Sequence, residues 1–169
     1  VIKNCNFEDG NISISGNIPD DYEFDEEAGV DDPNLVKPLI TDCNFIEGSI
    51  YINKSTAVIT NTEMNGLRYS EISDYYSYTG TGISCTEGSQ PEIVNCLITG
   101  YSTAISINKS KPYIHLSTIA DNRNGIMAEG AGLEEDEVRV TNCILWNDTD
   151  DLKDYNVSHS LIQIGRAHV

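Results

Sequence analysis

The feature that most constrains this chain is a repeat, and Pro91 to Lys111 (PEIVNCLITGYSTAISINKSK) holds one complete copy of it. Apolar residues fall at Ile93, Cys96, Ile98, Ile105 and Ile107. Within each short run the spacing is two, the mark of strands with one buried face. Between Ile93 and Cys96 the spacing slips to three, with Asn95 in the gap. A kink at Asn95 restores the inward phase, and Asn tolerates the left-handed backbone that such a kink needs. A Gly-Tyr-Ser-Thr corner follows, then the inward pair Ile105 and Ile107, then the polar corner Asn108-Lys109-Ser110-Lys111. Pro112 starts the cycle again.

The unit recurs along nearly the whole chain. Copies of the kink motif begin at Ile2, Ile40, Ile59, Ile93, Ile114, Val140 and Val157. The second arm recurs as Ile12-Ser13-Ile14, Ile50-Tyr51-Ile52, Ile83-Ser84-Cys85, Ile105-Ser106-Ile107 and Ile126-Met127-Ala128. Ile93 and Ile114 are 21 residues apart, Ile40 and Ile59 19. Periods of this order signal stacked units, none of which buries its own apolar face alone. With strand-only units the expected fold is all-β, a single-stranded parallel β-helix of about six to seven coils.

The pattern resembles the right-handed parallel β-helix repeats of the pectate-lyase-like superfamily. The end of the chain, Thr141-Asn-Cys-Ile-Leu-Trp-Asn147 followed by Val157-Ser-His-Ser-Leu-Ile-Gln163, resembles more closely a group of large secreted bacterial β-helix proteins. In that group an ILW-(G)N strand is followed by a VSYSxIQ strand. The resemblance implies a right-handed helix and a secreted or cell-surface setting. The group is mostly undefined in function, so the fold follows from the likeness far more than any activity does.

Charge narrows the partners. With 10 basic and 27 acidic residues the 169-residue chain carries a net charge of −17. A field of that sign argues against nucleic acid or anionic membranes as partners. It suits an extracellular protein, cation binding or solubility in salt. No apolar run approaches the ~18 residues of a membrane span, so membrane insertion is not expected. The chain begins in mid-repeat at Val1, and Ile164-Gly-Arg-Ala-His-Val169 breaks the pattern. That hexapeptide reads as the in-frame translation of a sequencing adapter, which makes 1–163 a β-helix segment cut at both ends and 164–169 a non-native tail. Solenoids need capped ends, so self-association through open coil ends is expected.

Two columns of equivalent positions look structural. Cys5, Cys43, Cys96 and Cys143 share one repeat position with Thr62, Ser117 and Ser160. Equivalent positions stack ~4.8 Å apart, so these form an inward ladder of small side chains. With no C-x-x-C and no Cys-His spacing, free buried thiols are favoured over disulfides or a metal site. Asn4, Asp42, Asn61, Asn95 and Asn142 form a second column, of stacked side chains that cap the kink. Five Asn-x-Ser/Thr sequons, at Asn11, Asn53, Asn108, Asn147 and Asn156, would carry sugar only in a eukaryotic host.

Departures from the unit point to function. An insertion near 16–37 contains Asp20, Asp21, Glu23, Asp25, Glu26, Glu27, Asp31 and Asp32. A smaller one at the same corner, 129–137, adds Glu134, Glu135, Asp136 and Glu137. The third, near 67–81 at the opposite corner, carries Tyr69, Tyr75, Tyr76 and Tyr78, with Tyr101 one coil further on. The second-arm strands would thus lie between an acidic wall and a tyrosine wall. Such a trough suits sugars, because aromatic rings stack on apolar sugar faces while carboxylates take hydroxyls. The candidate substrate-binding residues are Tyr51, Tyr75, Tyr76, Tyr78 and Tyr101. The competing reading makes the acids a solvated charge run and has the tyrosines pack their own loop.

Asp25, Glu26, Asp31 and Asp32 are candidate Ca²⁺ ligands, although no Asp-x-Asp-x-Asp-Gly loop is present, and no cofactor is required. No catalytic residue is assigned. The outward second-arm residues Ser13, Tyr51, Ser84, Ser106 and Met127 offer no base, acid or metal ligand, and His115 and His159 stand alone. Two functions follow: a scaffold or adhesin with a glycan-binding face, or a segment of a polysaccharide lyase or glycoside hydrolase.

Overall fold

The computed structural model describes residues 1–16, 18, 36–70, 76–129, 138–149 and 156–162. The first coil consists of β1 (Ile2–Lys3), β2 (Asn6–Glu8) and β3 (Asn11–Ser15). The second repeats it as β4 (Leu39–Thr41), β5 (Asn44–Ile46) and β6 (Ser49–Asn53). In the third, β7 (Val58–Thr60) and β8 (Glu63–Asn65) are followed by an added strand, β9 (Arg68–Ser70), and a long β10 (Tyr76–Thr86). The fourth is β11 (Glu92–Val94), β12 (Leu97–Thr99) and β13 (Tyr101–Asn108). The fifth is β14 (Tyr113–His115), β15 (Thr118–Ala120) and β16 (Asn124–Glu129). β17 (Arg139–Thr141) with β18 (Ile144–Trp146), and β19 (Asn156–Ser158) with β20 (Leu161–Ile162), continue two of the three sheets.

Each of the first five coils adds one strand to each of the three parallel sheets. The sheets run β1-β4-β7-β11-β14-β17-β19, β2-β5-β8-β12-β15-β18-β20 and β3-β6-β10-β13-β16. Among the described residues every ladder is parallel except that of β9 with β10. This is a parallel β-helix, as the repeat predicted, and it has three faces. The register matches the repeat residue for residue: Ile40 pairs with Ile59, Ile59 with Ile93, Ile93 with Ile114.

The core is the set of inward columns. Ile40, Ile59, Ile93, Ile114 and Val140 line the first sheet, Phe45, Met64, Ile98, Ile119 and Leu145 the second, and all are almost wholly buried. Ile50 and Ile52, Ile83 and Cys85, and Ile105 and Ile107 line the third. β-branched residues suit these positions because their stiff side chains pack on a pleated surface. Stacking like on like closes the gaps between coils, as where the Phe7 and Phe45 rings lie with centroids 4.6 Å apart.

The kink between the first and second sheets forms at every described copy. Asn4, Asp42, Asn61, Asn95, Leu116, Asn142 and His159 all have φ between 49 and 55°. Five of the seven are Asn or Asp, the non-glycine residues for which this region is least costly. Their backbone amides still bond to the next coil, as from Asn61 to the Val94 carbonyl at 3.1 Å and from Asn95 to that of His115 at 3.1 Å. Their side chains form part of the expected outer column: the Asn95 amide donates to Asn61 Oδ1 at 2.8 Å, and the Asn61 amide to Asp42 Oδ1 at 3.3 Å.

The residue after each kink points inward, and its identity has a clear cause. Each of these side chains donates to the carbonyl two residues earlier: Cys5 to Lys3, Cys43 to Thr41, Thr62 to Thr60, Cys96 to Val94, Ser117 to His115, Cys143 to Thr141 and Ser160 to Ser158. The position needs a small side chain with one proton to give. All five cysteines are free thiols.

Candidate functional site

The outer face of the third sheet is where the sequence places a ligand. The register aligns Ser13 with Tyr51, Tyr51 with Ser84, Ser84 with Ser106 and Ser106 with Met127. Tyr51, on the strand next to the edge strand β3, is 44% exposed. A neighbouring row holds Ser15, Asn53 and Thr86, where the Asn53 amide donates to Thr86 Oγ1 at 2.9 Å. On the other side Asn124 donates to the Ser102 carbonyl at 2.9 Å and accepts from Thr149 Oγ1 at 2.9 Å. Thr103 Oγ1 donates to the Met127 sulfur at 3.8 Å. The result is a strip of hydroxyls and amides around one aromatic ring, with donors and acceptors ordered by the ladder. Chemically it can stack a ring and exchange hydrogen bonds.

The tyrosines divide. Tyr51 stands on this face as expected. Tyr76 and Tyr78 belong to β10, whose first residues pair with β9 in an antiparallel hairpin, Tyr76 opposite Ser70 and Tyr78 opposite Arg68. Tyr78 is half-buried and its hydroxyl donates to the Asp148 carboxylate, which follows β18 three coils further along. Tyr75 and the side chain of Tyr76 lie outside the described residues, as do Asp25, Glu26, Asp31, Asp32 and the acidic stretch 130–137.

Tyr101 is a correction. Its side chain is fully buried, so it cannot meet a ligand on the surface. Gly100 takes φ +78° and turns the chain so that the Tyr101 ring enters the corner beneath Gly66. A Cβ at Gly66 would lie 2.8 Å from Tyr101 Cδ1, so the ring occupies the room that the glycine leaves. The hydroxyl donates to the Gly48 carbonyl at 2.7 Å, two coils away. Burial, with a smaller contribution from the Glu47 carboxylate, pushes the phenol well above its ordinary range. The ring is a structural pin between coils.

The same corner holds a second feature that sequence reasoning missed. Asn122 and Asn147 are buried and stacked, the Asn122 amide donating to Asn147 Oδ1 at 2.8 Å. Asn122 also donates to the Ile98 and Ala120 carbonyls, both at 3.0 Å, and accepts from the Tyr101 backbone amide at 2.9 Å. Asn147 donates to the Ile119 carbonyl at 3.0 Å. Asn147 heads an Asn-Asp-Thr sequon, but its side chain is held inside. The available signal was that an asparagine closely follows each of these second-sheet strands, Asn122 two residues after the end of β15 and Asn147 directly after β18.

Among the described residues no group of three or more His, Cys, Asp or Glu side chains is placed to hold a metal ion. Three of the buried thiols are held in the protonated form at neutral pH: burial raises Cys85 to about 12 and Cys96 to about 11, and Cys143 moves in the same direction. No family model, curated protein or solved structure matches the chain.

Proposed function

We propose that this chain is part of a secreted or cell-surface β-helix protein, a rigid scaffold or adhesin whose third sheet presents glycans with a binding face. The observation that supports this reading most directly is the exposed Tyr51 set among ladder-ordered Ser13, Ser84 and Ser106. An aromatic ring takes the apolar face of a sugar, and flanking hydroxyls and amides take its polar rim. A stacked helix suits repeated ligands, since each coil offers an equivalent position ~4.8 Å further along. The resemblance to bacterial members of the pectate-lyase-like superfamily adds the setting: outside the cell, on a protein longer than this segment.

The alternative is a segment of a lyase or hydrolase acting on acidic polysaccharide. That chemistry needs a base, or carboxylates paired ~5 to 10 Å apart. Titration with neutral and acidic polysaccharides, with and without Ca²⁺, separates the two. The scaffold reading expects binding without turnover, weakened roughly tenfold or more by Tyr51→Ala. Product formation, or binding untouched by Tyr51→Ala, would overturn it.

A further inference from the structure

On the outer face of the first sheet the register sets two rows side by side. One runs from Val58 through Glu92 and Tyr113 to Arg139, the other from Thr60 through Val94 and His115 to Thr141. Tyr113, His115, Arg139 and Thr141 form a block of four, since Ile114 and Val140 between them are buried in the core. Neighbouring strands lie ~4.8 Å apart, and alternate residues of one strand about 6.5 Å. Within the block the side chains meet. The Tyr113 and His115 rings lie with centroids 4.5 Å apart and planes tilted by 57°. The Arg139 guanidinium carbon sits over the Tyr113 ring, 5.5 Å from its centroid. The Tyr113 hydroxyl is 3.3 Å from Thr141 Oγ1. Charge sets this block apart in a chain with 27 acidic residues. Arg139 is exposed, and among the described residues no carboxylate stands within ion-pair distance of it. The carboxylate next along the ladder, Glu92, is answered by Lys37 at 2.8 Å. Among the described residues the His115 ring nitrogens make no hydrogen bond either.

We propose that these four residues bind a tetrahedral oxyanion, sulfate or phosphate, free or as an ester. The Tyr113 ring holds the guanidinium through its π face and leaves the N–H fork to a ligand. Because the fork is already placed, less freedom is lost when it closes on two oxygens. A carboxylate would spend both oxygens on that fork and leave Thr141 and His115 unused. Sulfate and phosphate bring a third oxygen, which the Thr141 hydroxyl or the imidazole N–H can meet. When the Tyr113 hydroxyl donates to Thr141, the Thr141 proton remains to be given to the ligand. The acidic body repels any anion at long range, but at physiological salt exposed charges beyond ~8 Å are largely screened, so the local donors decide. The site shares no residue with the third sheet and stands or falls apart from Tyr51.

The test titrates the full chain with inorganic sulfate, inorganic phosphate and acetate at constant pH and ionic strength, following the His115 ring signals by NMR. Sulfate and phosphate should shift those signals saturably, with dissociation constants on the order of millimolar, and acetate should bind about tenfold more weakly. Arg139→Gln, at an exposed position that leaves the core untouched, should abolish the saturable shift. Arg139→Lys keeps the charge but loses the fork, and should weaken binding roughly fivefold. Thr141→Val, which removes one donor and keeps the shape, should weaken it roughly tenfold. Tyr51→Ala should leave it unchanged. Dextran sulfate and plain dextran separate the two sources. If dextran sulfate binds at lower sulfate concentration than the inorganic ion and dextran is inert, the ester is the ligand; equal affinity assigns the free ion. Three outcomes would overturn the proposal. One is the absence of a saturable shift with sulfate or phosphate. Another is acetate binding as tightly as sulfate. The third is a saturable shift that survives both Arg139→Gln and Thr141→Val, the mark of an adventitious ion only.

Discussion

The corner between the first and second sheets and the corner between the second and third turn the same coils, but they are held by different means. At the first, one left-handed residue does the turning at each described copy, its side chain points out, and the next residue ties itself to a carbonyl two positions back. At the second, the content changes from coil to coil: Gly66 and Gly100 in close approach over a buried Tyr101, then the Asn122–Asn147 ladder. The first corner is a local conformation repeated. The second is a packing solution assembled from residues up to 53 positions apart, as between Tyr101 and Gly48. A solenoid can therefore be regular in outline while its corners differ in how much they tolerate.

That contrast is sharpest at glycine. A Cβ at Gly100 would overlap the Gly66 carbonyl oxygen of the preceding coil, and φ +78° is strained for any other residue. Gly100→Ala should cost more than about 4 kcal/mol, the scale of the most damaging single changes. At the first corner Asn95→Ala keeps the turn and loses only the residue best suited to it, for about 1 to 2 kcal/mol. Urea unfolding of both variants measures the gap. If the two cost the same, the second corner is no more tightly determined than the first.

The two asparagine columns give the next largest effect. Asn122→Ala leaves the Tyr101 amide and the Ile98 and Ala120 carbonyls without their buried partner. At roughly 1 to 3 kcal/mol per unsatisfied buried group, partly relieved by relaxation, a loss of about 3 kcal/mol is expected. The exposed amide of Asn61 bonds to its neighbours in water's presence, so Asn61→Asp should change the unfolding midpoint little. Equal losses would mean that burial does not separate the two columns.

The same division governs what could be read in advance. The slip of phase around Asn95 is visible because it is local: alternation of two, one extra residue, alternation again. From that motif the three sheets, the register and the inward cysteines follow. Tyr101 was misplaced because its fate depends on Gly66 and Gly48, which nothing in its own repeat announces. A tyrosine after a glycine at a corner looks like surface until the facing coil is known to leave it a slot. Tyr51 was legible for the opposite reason, since its side of the strand follows from Ile50 and Ile52 on either side.

Thiol ionisation probes the corner from the inside. Burial pushes Cys85 up to about 12 and Cys96 to about 11, the backbone at Thr62 and Val94 partly opposing the latter. Folding thus favours the protonated thiols, while the unfolded chain ionises near pH 8.5. Their stabilising contribution is complete below that pH and is lost as pH climbs through the folded values. The urea midpoint should stay level around neutrality and fall above about pH 9. Cys85→Ala should flatten that fall more than Cys96→Ala does, because the kink position retains its hydrogen bonds. In the native state Cys5, half-buried, should react first with an aromatic disulfide and Cys85 last. A kink thiol that proved the slowest would reverse the ranking of the two positions.

The smallest effect is a gain, and it tests whether the first corner is conformation alone. Leu116 takes φ 52° in a column where the neighbouring coils use Asn95 and Asn142 for the same turn. Its side chain is 58% exposed, so little apolar burial is lost on replacing it. Leu116→Asn should stabilise the fold by about 1 kcal/mol, the part of the left-handed cost that Asn avoids. It would also allow the outer column, which now runs from Asp42 through Asn61 to Asn95, to continue into the fifth coil. Leu116→Gly separates the two contributions, because glycine accepts the conformation but brings no amide. If Asn stabilises more than Gly, the ladder contributes beyond the turn. If Gly matches Asn, the exposed amides are a consequence of the conformation, and the first corner is set by a single backbone angle.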